Sequence, residues 1–140
     1  MANETEEISW AYKDKHPHMG IRLVSPGDIE YPVGTEELVL LDTGWSGGIV
    51  LPIRIYEQLE LQRWEKPDIV PYELADGSDM NMYEAEGFLF VPKLNNRYEV
   101  AFYRSVDKGQ DSNEILLGID FINNFKLLLD GPAQKLSVIK

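Results

Sequence analysis

The most constraining feature of this sequence is the frequent return of turn signals, which leaves only short segments between them. Glycine, proline, asparagine and aspartate favour the backbone conformations that turns require. Most of the intervening segments are rich in the alternating, β-branched and aromatic residues typical of strands. The turn signals lie at Asp14-Lys15-His16-Pro17, Pro26-Gly27-Asp28, Ala75-Asp76-Gly77-Ser78, Asn95-Asn96 and Gly131-Pro132. The sequence therefore predicts a mainly β fold.

We expect the strands to form four hairpins and two other segments to form short helices. Residues 52–61 place Ile55 and Leu59 on one face at i, i+4 spacing, and Pro52 suits a first helical turn. A second short helix is expected over 119–124, entered through Gly118. The hairpins are expected over 9–24, 72–86, 87–106 and 125–139, with further strands at 29–33, 37–41 and 115–117.

Length and charge limit the possible classes of protein. The chain has 140 residues, with 13 Lys and Arg against 24 Asp and Glu, so its formal net charge at pH 7 is −11. We expect one domain over residues 9–140, preceded by a solvated acidic tail at 1–8. Nucleic acid is not an expected partner, because phosphate binding needs clustered Lys and Arg, and no such cluster appears.

Cysteine is absent, which excludes disulfides, thiolate metal sites and cysteine nucleophiles. Its absence fits a cytoplasmic location. The polar, acidic residues 1–7 also lack the basic and apolar pattern of a secretory signal. The apolar runs are far shorter than the roughly 20 residues that span a bilayer, so a membrane is not an expected partner.

The residues that point most directly to chemistry are Asp42, Thr43 and Gly44, which follow the apolar segment 38–41. A carboxylate at the end of a buried strand is costly unless it is hydrogen-bonded or functional. Glycine allows a sharp turn and a close approach of the backbone, and a threonine hydroxyl can bridge to neighbouring groups. Asp-Thr-Gly is also ordinary turn vocabulary, so its interpretation depends on the surrounding sequence.

The surrounding sequence consists of two segments, Leu40-Leu41-Asp42-Thr43-Gly44-Trp45-Ser46-Gly47-Gly48-Ile49-Val50-Leu51-Pro52 and Ile115-Leu116-Leu117-Gly118-Ile119-Asp120-Phe121. Gly118 of the second segment lies 74 residues after Gly44. Together the two segments resemble the retropepsin-like aspartic proteases, most closely their prokaryotic branch. The resemblance covers roughly residues 30–140 and implies a mainly β, pepsin/retropepsin-like closed β-barrel with two short helices and one lobe per chain.

The resemblance implies an aspartic endopeptidase in which Asp42 is the catalytic residue. Such a site needs two carboxylates that share one proton, one to activate water and one to polarise the scissile carbonyl. The 140 residues contain one Asp-Thr-Gly and no second Asp-Thr/Ser-Gly. The resemblance therefore implies a twofold homodimer with both Asp42 side chains on the axis, without a metal or another cofactor.

Other residues take supporting roles by the same resemblance. The active-site loop would consist of Thr43, Gly44, Trp45 and Ser46 beside Asp42. The hairpin at Ala75, Asp76, Gly77 and Ser78 would be a flap that closes over an extended peptide or protein substrate and binds it through its backbone. Behind the Asp42 loop, the expected supporting residues are Leu116, Leu117 and Gly118.

Three features depart from the pattern of the viral enzymes. Ile119 stands where those enzymes tend to have an interface arginine, so that ion pair is missing. Trp45 replaces a usual small residue, which would narrow a pocket, pack into the dimer interface or obstruct substrate. The flap has one glycine, Gly77, and is therefore expected to be stiffer than viral flaps.

Two other motifs favour different interpretations. Gly44-Trp45-Ser46-Gly47-Gly48 fits Gly-x-Ser-x-Gly, the nucleophile elbow of α/β-hydrolases, with Ser46 as nucleophile. That family places its histidine last and uses a larger parallel sheet, whereas both histidines here precede Ser46. His16 and His18 could form a metal-ligand pair, but a solvated turn is the favoured interpretation because Pro17 lies between them.

The remaining alternative is a retropepsin-fold dimer that binds peptides or partner proteins without cleaving them, since a fold does not establish activity.

Overall fold

The structure, a computed structural model, describes residues 7–74 and 76–139, and its strands lie in two sheets. The helices are α1 (Ile53–Gln58) and α2 (Ile119–Ile122), and short 3₁₀ turns occupy Leu61–Trp64, Pro92–Leu94 and Lys108–Gln110. The strands are β1 (Glu7–Ala11), β2 (His18–Val24), β3 (Glu30–Tyr31), β4 (Glu37–Leu41), β5 (Ile49–Val50), β6 (Val70–Glu73), β7 (Asp79–Val91), β8 (Asn96–Ser105), β9 (Leu116–Leu117), β10 (Leu127–Asp130) and β11 (Lys135–Ile139).

The larger sheet has eight strands in the order β3-β2-β4-β9-β5-β8-β7-β6. The pairs β4–β9 and β5–β8 are parallel, and the other neighbouring pairs are antiparallel. Strand β7 also pairs with β2, through Arg22 opposite Phe90 and Val24 opposite Phe88. The pairing therefore returns from β7 to the second strand of the order. A separate sheet of three antiparallel strands has the order β1-β11-β10.

The predicted mainly β fold with two short helices is confirmed. Strand β4 has the expected bounds, 37–41, and antiparallel hairpins join β6 to β7, β7 to β8 and β10 to β11. One strand, β7, serves two of these hairpins, whereas the sequence suggested separate strands at 81–86 and 87–94. Gly87 lies inside β7, where a Cβ atom would come within 2.3 Å of the Phe102 ring. This glycine therefore marks a close approach and not a strand end.

The hairpin predicted over 9–24 is wrong. Strand β1 pairs with β11, with Trp10 opposite Leu136, while β2 lies in the larger sheet. The turn signal is satisfied locally by paired backbone hydrogen bonds between Lys13 and His16. The chain then crosses to the second sheet. The reversal was visible in the sequence, but the distant partner of β1 was not.

Two predicted element boundaries also differ from those in the structure. Strand β1 begins at Glu7, so residues 7 and 8 belong to a sheet and not to the expected acidic tail, whose residues 1–6 lie outside the described part. Helix α1 begins at Ile53, one residue after Pro52, which has extended backbone angles. It ends at Gln58, and Glu60 then has a left-handed conformation.

The core joins both sheets and both helices. Trp10 and Leu136 from the small sheet lie in one buried cluster with Tyr56 of α1, Phe102 of β8 and Phe121 of α2. This shared cluster fixes the small sheet against the larger one. Within residues 7–74 and 76–139, no helix has the length and apolar character needed to cross a bilayer.

Candidate active site

Asp42 lies directly after β4, at the point where this strand separates from its parallel neighbour β9. Leu41 is opposite Leu117, and the Asp42 N–H donates to the Leu117 carbonyl at 2.9 Å. The half-buried Asp42 side chain accepts a hydrogen bond at Oδ1 from the Gly44 N–H at 3.0 Å. The Trp45 N–H closes the turn onto the Asp42 carbonyl at 3.2 Å. The carboxylate is therefore oriented by its own loop.

The loop that follows, residues 42–48, is held by the start of α2. The first N–H groups of a helix have no partner within the helix. Here the N–H of Gly118 donates to the Gly48 carbonyl at 2.8 Å, and the N–H of Ile119 to the Trp45 carbonyl at 2.8 Å. The Asp120 N–H donates to the Gly47 carbonyl at 3.1 Å. Three otherwise free donors thus fix the Asp42 loop.

Gly118 makes this close contact possible. A Cβ atom there would lie 2.2 Å from the Gly47 carbonyl oxygen and 2.3 Å from a ring carbon of Trp45. The structure therefore brings Leu117 and Gly118 directly against the Asp42 loop, and Leu116 lies beside them in β9 and lines the neighbouring cavity.

Trp45 is 6% exposed and packs within its own chain. Its Nε1 donates to the Gly48 carbonyl at 3.0 Å, and its ring lies edge-on to Tyr72 at 4.2 Å and to Tyr103 at 5.5 Å. Burial, together with the neighbouring Glu84 carboxylate, raises the pKa of Tyr103 to about 12, so this side chain is neutral at physiological pH. Held by these contacts, the Trp45 indole forms a wall of the site.

The hairpin β6–β7 approaches the Asp42 loop from the other side. The Tyr72 hydroxyl donates to the Gly44 carbonyl at 3.4 Å and accepts from the Ser46 N–H at 3.5 Å. These distances are long, so the hydrogen bonds are weak. The hairpin therefore contacts the loop mainly through the aromatic packing of Tyr72 on Trp45.

The tip of this hairpin is stabilised by its own side chains. The Asp76 carboxylate accepts hydrogen bonds from the Ser78 hydroxyl at 2.5 Å and the Ser78 N–H at 2.9 Å, which lower the pKa of Asp76. Gly77 has φ +87°, a conformation that favours glycine. Ala75, also predicted at this tip, lies outside the described residues. Asp76, Gly77 and Ser78 are exposed and form the turn without lining the cavity below.

A cavity of about 670 Å³ lies between the Asp42 loop and the hairpin β6–β7. Most of its lining is apolar, and two carboxylates, those of Asp42 and Glu73, lie at its surface. It is lined by Asp42, Gly44, Trp45, Val50, Tyr72, Glu73, Leu74, Met80, Met82, Ser112 and Leu116. Thr43 and Ser46 are exposed beside it.

Sequence reasoning missed the hairpin residues in this lining. Tyr72 is opposite Met80 and Val70 is opposite Met82. Alternate residues of a strand share a face, so the pattern of Tyr72, Leu74, Met80 and Met82 could have identified the inner face of this hairpin. Ser112 comes from a distant loop and carried no such signal.

The other candidate residues do not assemble into a site here. The Nδ1 atom of His18 lies 2.8 Å from the His16 carbonyl oxygen, and His18 is 7% exposed. No hydrogen bond in the described chain joins either histidine to Ser46. Within residues 7–74 and 76–139, no three His, Asp or Glu side chains form a group suited to a metal ion.

The chain has a relative in Archaeoglobus fulgidus, an uncharacterized protein that is 30% identical to it over 108 residues. The alignment covers 73% of this chain and 76% of that protein. The chain belongs to the same family as this archaeal protein. No family model and no solved structure matches the chain. Because that relative is uncharacterized, the function is argued from the site.

Proposed function

We propose that this protein is an aspartic endopeptidase of retropepsin-like fold that acts as a homodimer, with Asp42 as its catalytic residue. The observation that carries the proposal is the placement of Asp42. Its carboxylate is oriented by the Gly44 N–H at 3.0 Å and lies on a largely apolar cavity of about 670 Å³ beneath a hairpin. A largely apolar cavity with a few converging polar groups is the usual form of a binding or active site, and Asp42 is one of the acidic residues that line this one.

The strand pairing supports a closed, retropepsin-like β-barrel. Pairing runs through β2, β4, β9, β5, β8 and β7 and returns from β7 to β2, as expected for a closed barrel. The second segment of the resemblance, Leu116, Leu117 and Gly118, covers β9 and the residue before α2. The Gly118 N–H donates to the loop that follows Asp42, as expected for supporting residues. One chain would form one lobe.

The proposed chemistry needs a second carboxylate from a second chain. With the two Asp42 side chains on a twofold axis, one carboxylate would be ionised and take a proton from water as that water attacks the scissile carbonyl. The other would be protonated and donate a hydrogen bond to the carbonyl oxygen. The exposed Thr43 hydroxyls would contact each other's chain across the axis.

The cavity supports an extended peptide or protein as substrate. An extended chain beneath the hairpin could add its backbone hydrogen bonds to the enzyme and place alternate side chains in pockets. The apolar wall of Trp45, Met80 and Met82 would favour a large apolar side chain of the substrate. Neither a metal nor another cofactor enters this scheme.

The alternative function is a binding domain that holds peptides without cleaving them. The contact of Tyr72 with the Asp42 loop favours it, because the ring of Tyr72 lies 4.2 Å from that of Trp45 and its hydroxyl lies on the Gly44 carbonyl. A substrate would have to compete with this contact to reach Asp42.

Cleavage of a diverse peptide library from acid to neutral pH tests the proposal. We expect Asp42→Asn to lower cleavage at least about 100-fold, because general acid–base catalysis contributes on the order of 10² to 10⁴. Asp68→Asn is the matched control, since Asp68 is exposed and outside the cavity. Equal cleavage by wild type and Asp42→Asn would contradict the catalytic assignment. Binding without cleavage by either chain would support the binding domain.

A further inference from the structure

A second cavity, of about 440 Å³, lies beside the paired strands β2 and β4. It shares no lining residue with the cavity beside Asp42. Its lining includes the apolar residues Leu40, Pro52 and Ile55 together with His18 and five charged side chains. This mixture of apolar and charged groups is typical of a small-molecule site.

His18 is 7% exposed, and one of its ring nitrogens lacks a partner. Its Nδ1 lies 2.8 Å from the His16 carbonyl oxygen. Because a carbonyl oxygen only accepts, Nδ1 carries a proton, and Nε2 of the neutral ring is an acceptor. No described residue donates to Nε2, and this atom is not fully enclosed, so it opens on the cavity that His18 lines. Buried polar groups are normally hydrogen-bonded, so Nε2 lacks a donor.

Glu36 places a second acceptor without a partner in the same cavity. Its Oε2 atom is buried and accepts no hydrogen bond from the described part of the chain. The carboxyl group lies over Gly20, where a Cβ atom would come within 2.4 Å of Oε2. Gly20 follows His18 by two positions in β2, and alternate residues of a strand share a face at a spacing of about 7 Å. The Glu36 carboxylate and the His18 ring therefore lie on one face of β2, close enough for one ligand to reach both.

Two neighbouring acceptors without partners call for a ligand that donates hydrogen bonds. A primary ammonium has three donors and no acceptor, and its charge compensates the buried carboxylate of Glu36. The cavity also has two cationic side chains, Lys13 and Arg54, which are both exposed. Neither forms an ion pair within residues 7–74 and 76–139. These two cations are suited to bind a carboxylate of the same ligand.

We propose that this cavity binds a small zwitterion, a free amino acid or a short peptide, whose primary ammonium lies between His18 and Glu36. Its carboxylate meets the exposed cations of Lys13 and Arg54, and the apolar part of the lining contacts an aliphatic side chain. A volume of about 440 Å³ suits a ligand of this size, since small-molecule sites span about 300–1,000 Å³. This second site goes beyond the proposed function and does not depend on it.

Titration of the full ¹⁵N-labelled chain with L-leucine and with the dipeptide Leu-Leu, followed by NMR, tests the proposal. We expect saturable shifts of the signals of residues 18–20 and 36–40, with a Kd on the order of 1 mM for the tighter probe. The tighter probe distinguishes a free amino acid from a peptide. Two analogues of leucine test its charges, because 4-methylpentanoate lacks the ammonium and leucinamide lacks the carboxylate. Each should bind at least about fivefold more weakly than leucine.

Two variants test the acceptors within the chain. Glu36→Gln removes the charge that faces the ammonium, and Gly20→Ala displaces the Glu36 carboxylate while leaving its charge in place. Each should raise the Kd of the tighter probe at least about fivefold. Glu99→Gln is the matched control, because Glu99 is exposed and outside this cavity, and its Kd should equal that of wild type. Circular dichroism checks that each variant folds.

Three results would overturn the proposal. They are no saturable binding of either probe up to about 50 mM, an analogue that binds as tightly as leucine, or a Kd unchanged by both Glu36→Gln and Gly20→Ala. Any of them would leave the peptidase proposal standing, because the two cavities share no residue and Asp42→Asn tests that proposal separately.

Discussion

At the scale of single residues, the position of Asp42 depends on a glycine 76 residues away in the chain. Gly118 lies so close to the Asp42 loop that any side chain would collide with the Gly47 carbonyl, which is backbone and cannot rotate away. Its N–H also donates to the Gly48 carbonyl at 2.8 Å. The residue is therefore required for packing and not only for turning the chain.

We expect Gly118→Ala to lower the free energy of unfolding by about 2 kcal/mol, because overpacking in a well-packed region costs about 1–3 kcal/mol. Urea denaturation measures the change. Gly131→Ala is the control, since a Cβ atom at Gly131 meets no atom within 4 Å, and its effect should stay within about 0.5 kcal/mol. Equal effects of the two variants would contradict the packing role of Gly118.

At the scale of secondary-structure elements, the hairpin β6–β7 supplies much of the wall opposite Asp42. Its inner face carries Tyr72 and Met80, which are opposite each other, whereas Asp79, the neighbour of Met80, is exposed and lies outside the cavity lining. Strand alternation therefore separates a cavity-facing residue from a solvent-facing neighbour one position away.

Met80→Asn and Asp79→Asn test that alternation. We expect Met80→Asn to raise the KM for peptides with a large apolar side chain about tenfold, because it removes apolar contact area in the cavity worth about 1.4 kcal/mol. Asp79→Asn should leave KM unchanged because Asp79 is exposed. Steady-state kinetics on one peptide series measures the KM of each variant. Equal KM values for the two variants would place the substrate elsewhere.

Elements of this size were predictable where the signal is local, and unpredictable where it depends on distant partners. Strand β4 and the turn at Gly131 follow from residues next to them, so their sequence predictions agree with the structure. The pairing of β1 with β11 does not, because Trp10 and Leu136 are apolar residues like many others and nothing nearby specifies their contact. The Asp42 loop was found through its motif. Tyr103, which packs on Trp45 from more than 50 residues away in the chain, has no local signal.

At the scale of the whole molecule, charge opposes the association that the proposed chemistry needs. Each chain carries a formal charge of −11, so two chains repel each other before any contact forms.

We therefore expect the dimer to tighten as salt is added. Between about 20 mM and 500 mM sodium chloride, the Debye length falls from roughly 20 Å to roughly 4 Å, which screens the repulsion between the chains. Sedimentation equilibrium should show the dimer Kd falling several-fold over this range. A Kd that is independent of salt, or that rises with it, would contradict the dominance of net charge.

The central claim is that one site contains the Asp42 carboxylates of two chains, and mixing chains tests it most directly. Wild type and Asp42→Asn are mixed at equal amounts, unfolded and refolded together, and assayed well above the dimer Kd. If a site needs both carboxylates, only dimers of two wild-type chains are active, and activity per total chain falls to about one quarter of pure wild type. An activity of about one half would mean that each chain works alone, which would contradict the claim.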